Sequence, residues 1–441
     1  MVFLGVQPLA KSFQTFFMGA AGSGVSKYWI GLIGGTASDV GTGIRQDSDG
    51  NIILSGYTES DGQGSTDNYR AKITPAGVFV WQNTLGDSNS NGTTSGHSLA
   101  LDSSDNSFII GGLGVGYVLT LSKSNSSGVS QWSKKINHEA NPQDVYGVAA
   151  DGSGNSYFVG YARINNGVDR LMLYKFNSSG SKVLQRGLDT NKYNYMYDLF
   201  VDNSGNIYIA GSFFETSPSG SLLIKLNSSG VVQWKNYLKT TGGSEFSAIA
   251  PMPNGNIAVT GKQSGSRTVA VFNTSGSLQW IRTISTGGER SRGIAVDSSN
   301  NIYVAGARYD SNARGNVWKY NSSGTFQWLR ELRATSGTAN TDFRDIDIIT
   351  VDGEEVIGIL GYTSADGAGS NDLLMCMLPT DGSGLGTYGD LTYENLSTTA
   401  GTGDSTAGSI SNYSVLNFAA TVGDTGFTSA TTNLGIEIFP I

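Results

Sequence analysis

The chain has 441 residues, of which 15% are charged and 61 are glycine, and its formal net charge is −8. This composition is typical of many short strands joined by tight turns, and it disfavours long surface helices, which are usually rich in Glu and Lys. The single cysteine, Cys376, excludes an intrachain disulfide framework. We expect no membrane span, because no apolar run reaches roughly 18 residues, and no nucleic-acid partner, because there is no Lys/Arg-rich stripe.

The first segment, residues 1–21, is predicted to form an arm with a short amphipathic helix. Its first basic residue, Lys11, follows the apolar start, and Gln7-Pro8 interrupts that start, which argues against a secretory signal. Pro8 suits a first helical turn. Large apolar residues then follow at helical spacing: Leu9, Phe13, Phe16 and Phe17. We expect this apolar face to contact another chain of an assembly.

A phrase of the type D-x-S-G-N-I-Y-I-A-G then recurs seven times at intervals of 45 to 55 residues. Its closing glycines are Gly56, Gly111, Gly160, Gly211, Gly261, Gly306 and Gly361. A second phrase, N-S-S-G-x-x-Q-W, lies between the copies, and each unit resolves into four strands with period-two alternation. Four antiparallel strands repeated seven times predict an all-β, seven-bladed β-propeller over residues 22–385.

The last unit lacks its fourth strand, while a copy of that strand without the rest of its unit stands near the N-terminus, at about Tyr28 to Ile33. We expect this strand to complete the last blade and close the ring, which removes two exposed sheet edges. Counting four residues from Gly24 places Tyr28 at the docking position, with Trp29 one residue further. A rival for the closing strand begins at Gly386.

The tryptophans of the second phrase, such as Trp132, Trp234, Trp280 and Trp328, resemble the docking tryptophans of quinoprotein propellers, which also follow a turn glycine by four residues. Residues 22–385 as a whole resemble the bacterial and phage seven-bladed β-propeller repeat family. The wording K-[LFY]-N-S-S-G-x-x-Q-W is similar to that of virion structural proteins of tailed phages, notably those that infect marine cyanobacteria. The resemblance implies a virion location.

After the repeats, residues 386–441 are rich in Gly, Ser and Thr but contain strand-like stretches, "SVLNFAATVG" and "LGIEIFPI". We interpret this segment as an ordered β extension of the propeller.

Catalytic and cofactor chemistry finds little support in the sequence. His97 and His138 have no Cys or His at metal-ligand spacing, and no G-x-S-x-G elbow is present. The "DSDGN" loops resemble calcium loops but lack the terminal bidentate Glu, and Cys376 lies in an apolar strand typical of a buried thiol. We therefore expect no enzyme activity, no metal and no cofactor.

The loops between second and third strands vary in length, and variable loops on a rigid scaffold are where binding usually resides. Their side chains that can stack on or hydrogen-bond a glycan or a protein are Arg163, Phe213, Phe214, Arg308, Tyr309 and Arg314. Solvated loops without a ligand are the alternative interpretation.

We expect a non-enzymatic structural protein of a phage virion, on the tail or another exterior appendage. Its expected partners are other virion proteins, in an oligomeric assembly, and a glycan or protein of the host surface. Two alternatives remain open. The first is a secreted or cell-surface carbohydrate-binding propeller of a bacterium. The second is a polysaccharide lyase or glycosidase, whose carboxylates would be scattered over the loops.

Overall fold

The computed structural model describes residues 26–62, 65–86, 98–113, 118–137, 143–164, 168–189, 194–213, 220–239, 243–285, 289–365, 367, 369–396, 399–402, 406–409, 414–416, 421–424, 428–431 and 435–440. Every regular element in these ranges is a β-strand, and the strands form seven sheets. The predicted fold class is confirmed: the protein is an all-β, seven-bladed propeller. These residues include no helix that is long and apolar enough to cross a membrane.

The blades follow one another along the chain, and each runs from an innermost to an outermost strand. Blades 1 and 2 comprise β2 (Asp39–Gln46), β3 (Ile52–Thr58), β4 (Asp67–Ile73), β5 (Phe79–Gly86), β6 (Leu99–Leu101), β7 (Ser107–Leu113), β8 (Val118–Ser124) and β9 (Ser130–Asn137). Blades 3 and 4 comprise β10 (Gln143–Ala150), β11 (Ser156–Ile164), β12 (Val168–Phe176), β13 (Lys182–Asp189), β14 (Asn194–Val201), β15 (Ile207–Phe213), β16 (Gly220–Leu226) and β17 (Val232–Lys239).

Blades 5 and 6 comprise β18 (Ser244–Pro251), β19 (Ile257–Gln263), β20 (Ser266–Phe272), β21 (Leu278–Ser285), β22 (Glu289–Val296), β23 (Ile302–Tyr309), β24 (Ala313–Tyr320) and β25 (Phe326–Ala334). Blade 7 comprises β26 (Thr341–Val351), β27 (Glu354–Thr363), β28 (Asp372–Pro379) and, from the other end of the chain, β1 (Trp29–Gly34). The remaining strands are β29 (Gly386–Tyr388), β30 (Leu391–Asn395), β31 (Thr399–Thr402), β32 (Thr406–Ser409), β33 (Ser414–Leu416), β34 (Thr421–Asp424), β35 (Thr428–Thr431) and β36 (Gly435–Pro440).

The buried apolar residues that the structure describes form seven clusters, one at each interface between neighbouring blades. The innermost strands contact one another in cyclic order, and contacts between β2 and β26 complete the circle. Cys376 of β28 is fully buried in the cluster between blades 6 and 7, and burial raises the pKa of its thiol. The ring is thus held by face-to-face packing of sheets, as the alternation of the strands predicts.

In blades 1 and 3 to 7, the closing glycine of the first phrase lies opposite a β-bulge in the innermost strand. In blade 5, Gly261 pairs with Phe246, and the next pair, Ala248 with Thr260, skips one residue. A Cβ added to Gly261 would lie 1.9 Å from the carbonyl oxygen of Glu245. Only glycine allows this close approach, which explains why the repeat phrase ends in that residue.

The recurring tryptophans dock each blade onto the next. A Cβ added to Gly128, in the turn before β9, would lie 2.8 Å from the Trp81 ring of the preceding blade. The Trp81 Nε1–H also donates a hydrogen bond to Ser126 O of that turn (3.2 Å). The same ring-on-glycine contact joins Trp132 and Gly180, Trp234 and Gly276, Trp280 and Gly324, and Trp328 and Gly382, while Leu184 takes this place against Gly230.

The N-terminal strand closes the ring as expected. β1 lies antiparallel to β28 and completes blade 7. The ring that docks is that of Trp29, which is 1% exposed and whose Nε1–H donates to Pro75 O of blade 1 (2.8 Å). Tyr28 precedes the strand, where Ser26 Oγ–H donates to its carbonyl oxygen (2.8 Å), so Trp29 takes the docking position. The rival stretch from Gly386 instead forms the hairpin β29–β30 on blade 6.

The strands β30 to β36, called the rim belt below, add one further strand to the outer edge of every blade. They pair antiparallel with blades 6, 5, 4, 3, 2, 1 and 7, in that order. From β31 onward the belt strands begin seven or eight residues apart. At most roughly 28 Å of extended chain therefore joins one blade edge to the next.

The direction of the rim belt follows from sheet twist. Neighbouring strands rotate by about 20–25°, so the outermost strand of a four-stranded blade is turned by roughly 60–75° from the innermost one. Outer strands consequently run largely along the circumference, all in the same sense. A chain that passes round the rim in the opposite sense meets each of them antiparallel, and it visits the blades in reverse order.

Deletion of residues 1–34 should cause aggregation or a large fall in melting temperature. The deletion removes β1, which separates β28 from β36, and exposes two unpaired strand edges. It also removes the buried Trp29 ring, a loss of about 3–5 kcal/mol by itself. Deletion of residues 1–25 keeps β1 and is the matched control. A 35–441 protein that stays monomeric with an unchanged melting temperature would contradict this role of β1.

Replacing Gly261 with Ala should destabilise the protein by about 1–3 kcal/mol or more, because the new methyl group overlaps the backbone at Glu245. Gly152, in the turn between β10 and β11, has no atom within 4 Å of an added Cβ and serves as the control. Urea unfolding of Gly261→Ala and Gly152→Ala measures the difference. Equal midpoints would refute the steric explanation.

Candidate functional site

Two faces of the disc differ in construction. The loops between second and third strands and the links between blades share one face, called the loop face, while the tight turns occupy the other, called the turn face. Arg308 and Tyr309 end β23, Arg314 lies near the start of β24, and Arg308 pairs directly with Arg314 in the ladder. Three of the six predicted loop residues therefore come together on the loop face of blade 6.

Both arginines are held by carboxylates of the same blade. Arg308 Nη2 lies 3.4 Å from Asp310 Oδ2 and 3.5 Å from Glu331 Oε2. Arg314 lies 3.5 Å from Asp310 Oδ2 and 3.4 Å from Glu331 Oε1. The two arginines and two carboxylates form a network with no net formal charge. The Glu331 side chain, which is only 2% exposed, holds the network on its buried side, and Asp310, which is 43% exposed, is its solvent-accessible member.

A second network surrounds Asp342 at the start of β26, where its carboxylate is fully buried. Arg292 donates to it through Nε (3.2 Å) and Nη2 (3.1 Å), and Tyr309 donates through its hydroxyl (2.6 Å). Arg344 Nε lies 3.1 Å from Asp342 Oδ2, and its guanidinium stacks over the Tyr362 ring at 5.2 Å. Burial and the Asp342 carboxylate raise the pKa of Tyr309, so its hydroxyl stays a donor.

This second network, called the Arg292–Asp342–Arg344 cluster below, carries two guanidiniums against one carboxylate, a formal charge of +1. The side chains of Arg292 and Arg344 remain 15% and 19% exposed. Partly accessible guanidiniums next to an aromatic ring are suited to bind the carboxylate or sulfate group of a ligand such as an acidic sugar. The chemistry that this arrangement favours is anion recognition.

Sequence reasoning missed Arg292, Asp342 and Arg344. The two arginines are the bulged residues of β22 and β26, each beside the residue that pairs with a repeat glycine, Gly306 or Gly361. Bulges re-aim a side chain, and they occur often next to functional sites. The repeat glycines therefore held the sequence signal for these arginines, because each glycine pairs with the residue next to one of them.

The other predicted loop residues are not brought into this cluster by contacts that the structure describes. Arg163 lies near the end of β11, paired with Asp169, and Phe213 ends β15, paired with Gly220. These positions are on the loop face of blades 3 and 4. Phe214 lies outside the described residues, as do the four arm residues Leu9, Phe13, Phe16 and Phe17.

The central axis of the ring carries carboxylates that link innermost strands. Asp345 accepts hydrogen bonds from Ile44 N (3.1 Å) and Arg45 Nη1 (2.7 Å) of the neighbouring blade 1. Asp347 accepts a further one from Gln46 N (3.3 Å). Burial raises the pKa of Asp347 to about 6; Arg45 opposes this rise and Asp345 adds to it.

The aspartate carboxylates of the first phrase accept hydrogen bonds within the turns that they begin. Asp47 Oδ1 accepts from Asp49 N (3.1 Å) and Asn51 N (2.7 Å), and Asp47 Oδ2 lies 2.5 Å from Lys72 Nζ. Equivalent turns begin at Asp102, Asp151, Asp202 and Asp297. Within the described part of the chain, no three His, Cys, Asp or Glu residues gather in a metal-ligating arrangement. His97 and His138 lie outside that part.

No family model matches the sequence. A protein of Acanthamoeba polyphaga mimivirus, described as an uncharacterized WD repeat-containing protein, is 26% identical over 168 residues, which covers 33% of this chain. The chain spans 11% of that relative's length.

Solved structures with a similar fold share 10–12% identity with the chain. They include a Bacteroides caccae protein of unknown function, with a TM-score of 0.40, covering 68% of this chain and 93% of that one. Sqt1 from Chaetomium thermophilum gives a TM-score of 0.42 and covers 77% and 83% of the two chains. A glucose dehydrogenase gives 0.39, with 61% and 93% covered.

Replacing Asp342 with Asn should destabilise the protein by about 3 kcal/mol, because Arg292 and Arg344 then face a neutral amide while mostly buried. Asp310→Asn removes a far more exposed carboxylate and should cost less than about 1 kcal/mol. Urea unfolding at neutral pH measures both. Equal losses for the two variants would show that Asp342 does not hold the cluster together.

The raised pKa of Asp347 predicts a pH-dependent stability. Its folded-state pKa of about 6 exceeds the value of about 3.9 for an unfolded chain. Asp347 therefore contributes most stability below about pH 4, and this contribution is lost as the pH rises through about 6. The difference in unfolding free energy between the native protein and Asp347→Asn should shift in favour of the variant from about pH 4 to pH 7. A difference that is constant over this range would contradict the assignment.

Proposed function

We propose that the protein is a non-enzymatic structural component of a phage particle, on the tail or another exterior appendage. The observation that supports this best is the rim belt, which pairs with the outer strand of every blade. Blades without it would present seven unpaired edges, each a template for edge-to-edge association. A disc with a paired rim tolerates the high local concentration of an assembly, which suits a particle component.

Two further features agree with this proposal. The repeat wording N-S-S-G-x-x-Q-W is similar to that of tailed-phage structural proteins, and the mimivirus relative is also viral. On blade 6, Arg308 and Arg314 are engaged by Asp310 and Glu331, which gives a rigid surface network. Rigid, internally paired side chains are suited to contact a surface, whereas a general acid or base needs a group free to exchange protons with a substrate.

The test is to locate the protein on purified particles. Antibodies against the propeller, applied to gradient-purified particles from the host that carries the gene, should label the tail or an appendage in electron microscopy. The protein should also co-sediment with particles at a constant ratio to the major capsid protein. Protein that remains at the top of the gradient, with unlabelled particles, would refute the proposal.

The N-terminal arm should be needed for incorporation into particles. Burial of each large apolar side chain contributes about 1.5–3 kcal/mol, so Leu9, Phe13, Phe16 and Phe17 together are able to anchor a subunit. Deletion of residues 1–20 spares β1 and should leave a folded propeller that is lost from particles. Quantitative mass spectrometry of particles measures its copy number. An unchanged copy number would show that the arm does not contact another chain.

A carbohydrate-binding propeller of a bacterial surface is the second candidate, and the Arg292–Asp342–Arg344 cluster favours it. Binding to arrays of acidic and neutral glycans, with Arg344→Gln as the variant, tests the site itself. Cell fractionation of a bacterium that encodes the protein in the absence of phage genes distinguishes the two candidates. Cleavage of polysaccharides by the purified protein would overturn both in favour of a lyase or glycosidase.

A further inference from the structure

The first strand of the rim belt, β30, is rooted in the apolar core. Leu391 and Tyr393 of β30 are 0% and 1% exposed and belong, with Tyr388 of β29, to the core cluster between blades 6 and 7. Arg333 of β25 also forms an ion pair with Glu394 of β30 (2.6 Å). The hairpin β29–β30 is therefore part of its own propeller, and any movement of the belt starts after it.

Beyond this root the belt is attached by short backbone ladders. The strands β31 to β35 have only three or four residues each, and Gly, Ala, Ser and Thr dominate their sequences, TAGT, TAGS, SVL, TVGD and TSAT. A single hydrogen bond contributes only about 0.5–1.5 kcal/mol net. Each of these backbone ladders is weak by itself, and their series ends in the six-residue β36.

The closed ring does not depend on these ladders. β1 pairs with β28, Trp29 docks on blade 1, and the innermost strands form a complete circle. Release of the belt from β31 onward would thus leave the propeller intact, with the outer strands as free edges. Such edges accept an added strand through main-chain hydrogen bonds, with little demand on side-chain identity.

We propose that the rim is a strand-acceptor surface shared between copies, on which β31 to β36 of a second copy replace the chain's own belt. The two occupants are chemically identical, so every ladder lost in one copy is regained in the other, and exchange costs little beyond the loss of translational freedom. High local concentration shifts that balance toward exchange. The exchanged part of the chain begins after Asn395, the last residue of the rooted hairpin.

The test is a disulfide that reports which copy supplies the belt. Lys135 of β9 pairs with Gly423 of β34, and cysteines at directly opposed antiparallel positions lie within disulfide range. Full-length Lys135→Cys/Gly423→Cys protein is prepared in heavy-isotope and light forms, mixed in equal amounts, incubated at several concentrations and then oxidised. The native Cys376 is fully buried and is alkylated under denaturing conditions afterwards.

Linked peptides with one heavy and one light partner reveal exchange between copies. We expect their share to rise with protein concentration toward the random value, together with disulfide-linked dimers on non-reducing gels. The control is Thr120→Cys/Lys135→Cys, which links β8 to β9 inside the ring and should give only same-chain links. Mixed links no more frequent than in this control at every concentration would overturn the proposal. This result needs no phage particle, so it stands independently of the proposed function.

Discussion

The propeller depends on an aromatic ring from one blade resting on a turn glycine of the next. The glycines in these turns take φ angles of 72–84°, a region that strains other residues, and a Cβ at Gly128 or Gly324 would overlap the indole that covers it. Ring and glycine therefore require each other. Each blade gives one such side chain and receives one, with Leu184 in place of the ring between blades 3 and 4, so the contact is cyclic, and the N-terminal strand supplies the Trp29 ring that blade 1 receives.

Buried carboxylates also link neighbouring blades. Among the buried ionisable groups, Asp345 lies at the central axis and Asp342 at the loop face. In both places a carboxylate of blade 7 binds donors of a neighbouring blade. Blade 7, which is assembled from both parts of the chain, is thus linked to blade 6 and to blade 1 through charged groups.

The sequence predicted the blade number and the closing strand, because these follow from short-range patterns: a turn glycine, a tryptophan four residues later and a period-two strand. The path of the rim belt was not predictable in the same way. Its strands pair through the backbone with partners up to several hundred residues away, as Thr428 does with Gly86, and small residues leave no alternation to read. The regular spacing of seven or eight residues was the remaining clue. The Arg292–Asp342–Arg344 cluster was missed because the sequence signal for each arginine, a repeat glycine, lies on the adjacent strand and not near the arginine in sequence.

The reverse course of the rim belt has a mechanical consequence. A pull on the end of β36 would load the ladders one after another, first on blade 7, then on blade 1, and so on round the rim, rather than all at once. The 42 residues from Thr399 to Pro440 would release about 140 Å of extended chain in six small steps. Throughout that extension the closed ring would bear the load through its rooted hairpin on blade 6. The belt would therefore act as an extensible tether that absorbs force gradually while the disc keeps its shape.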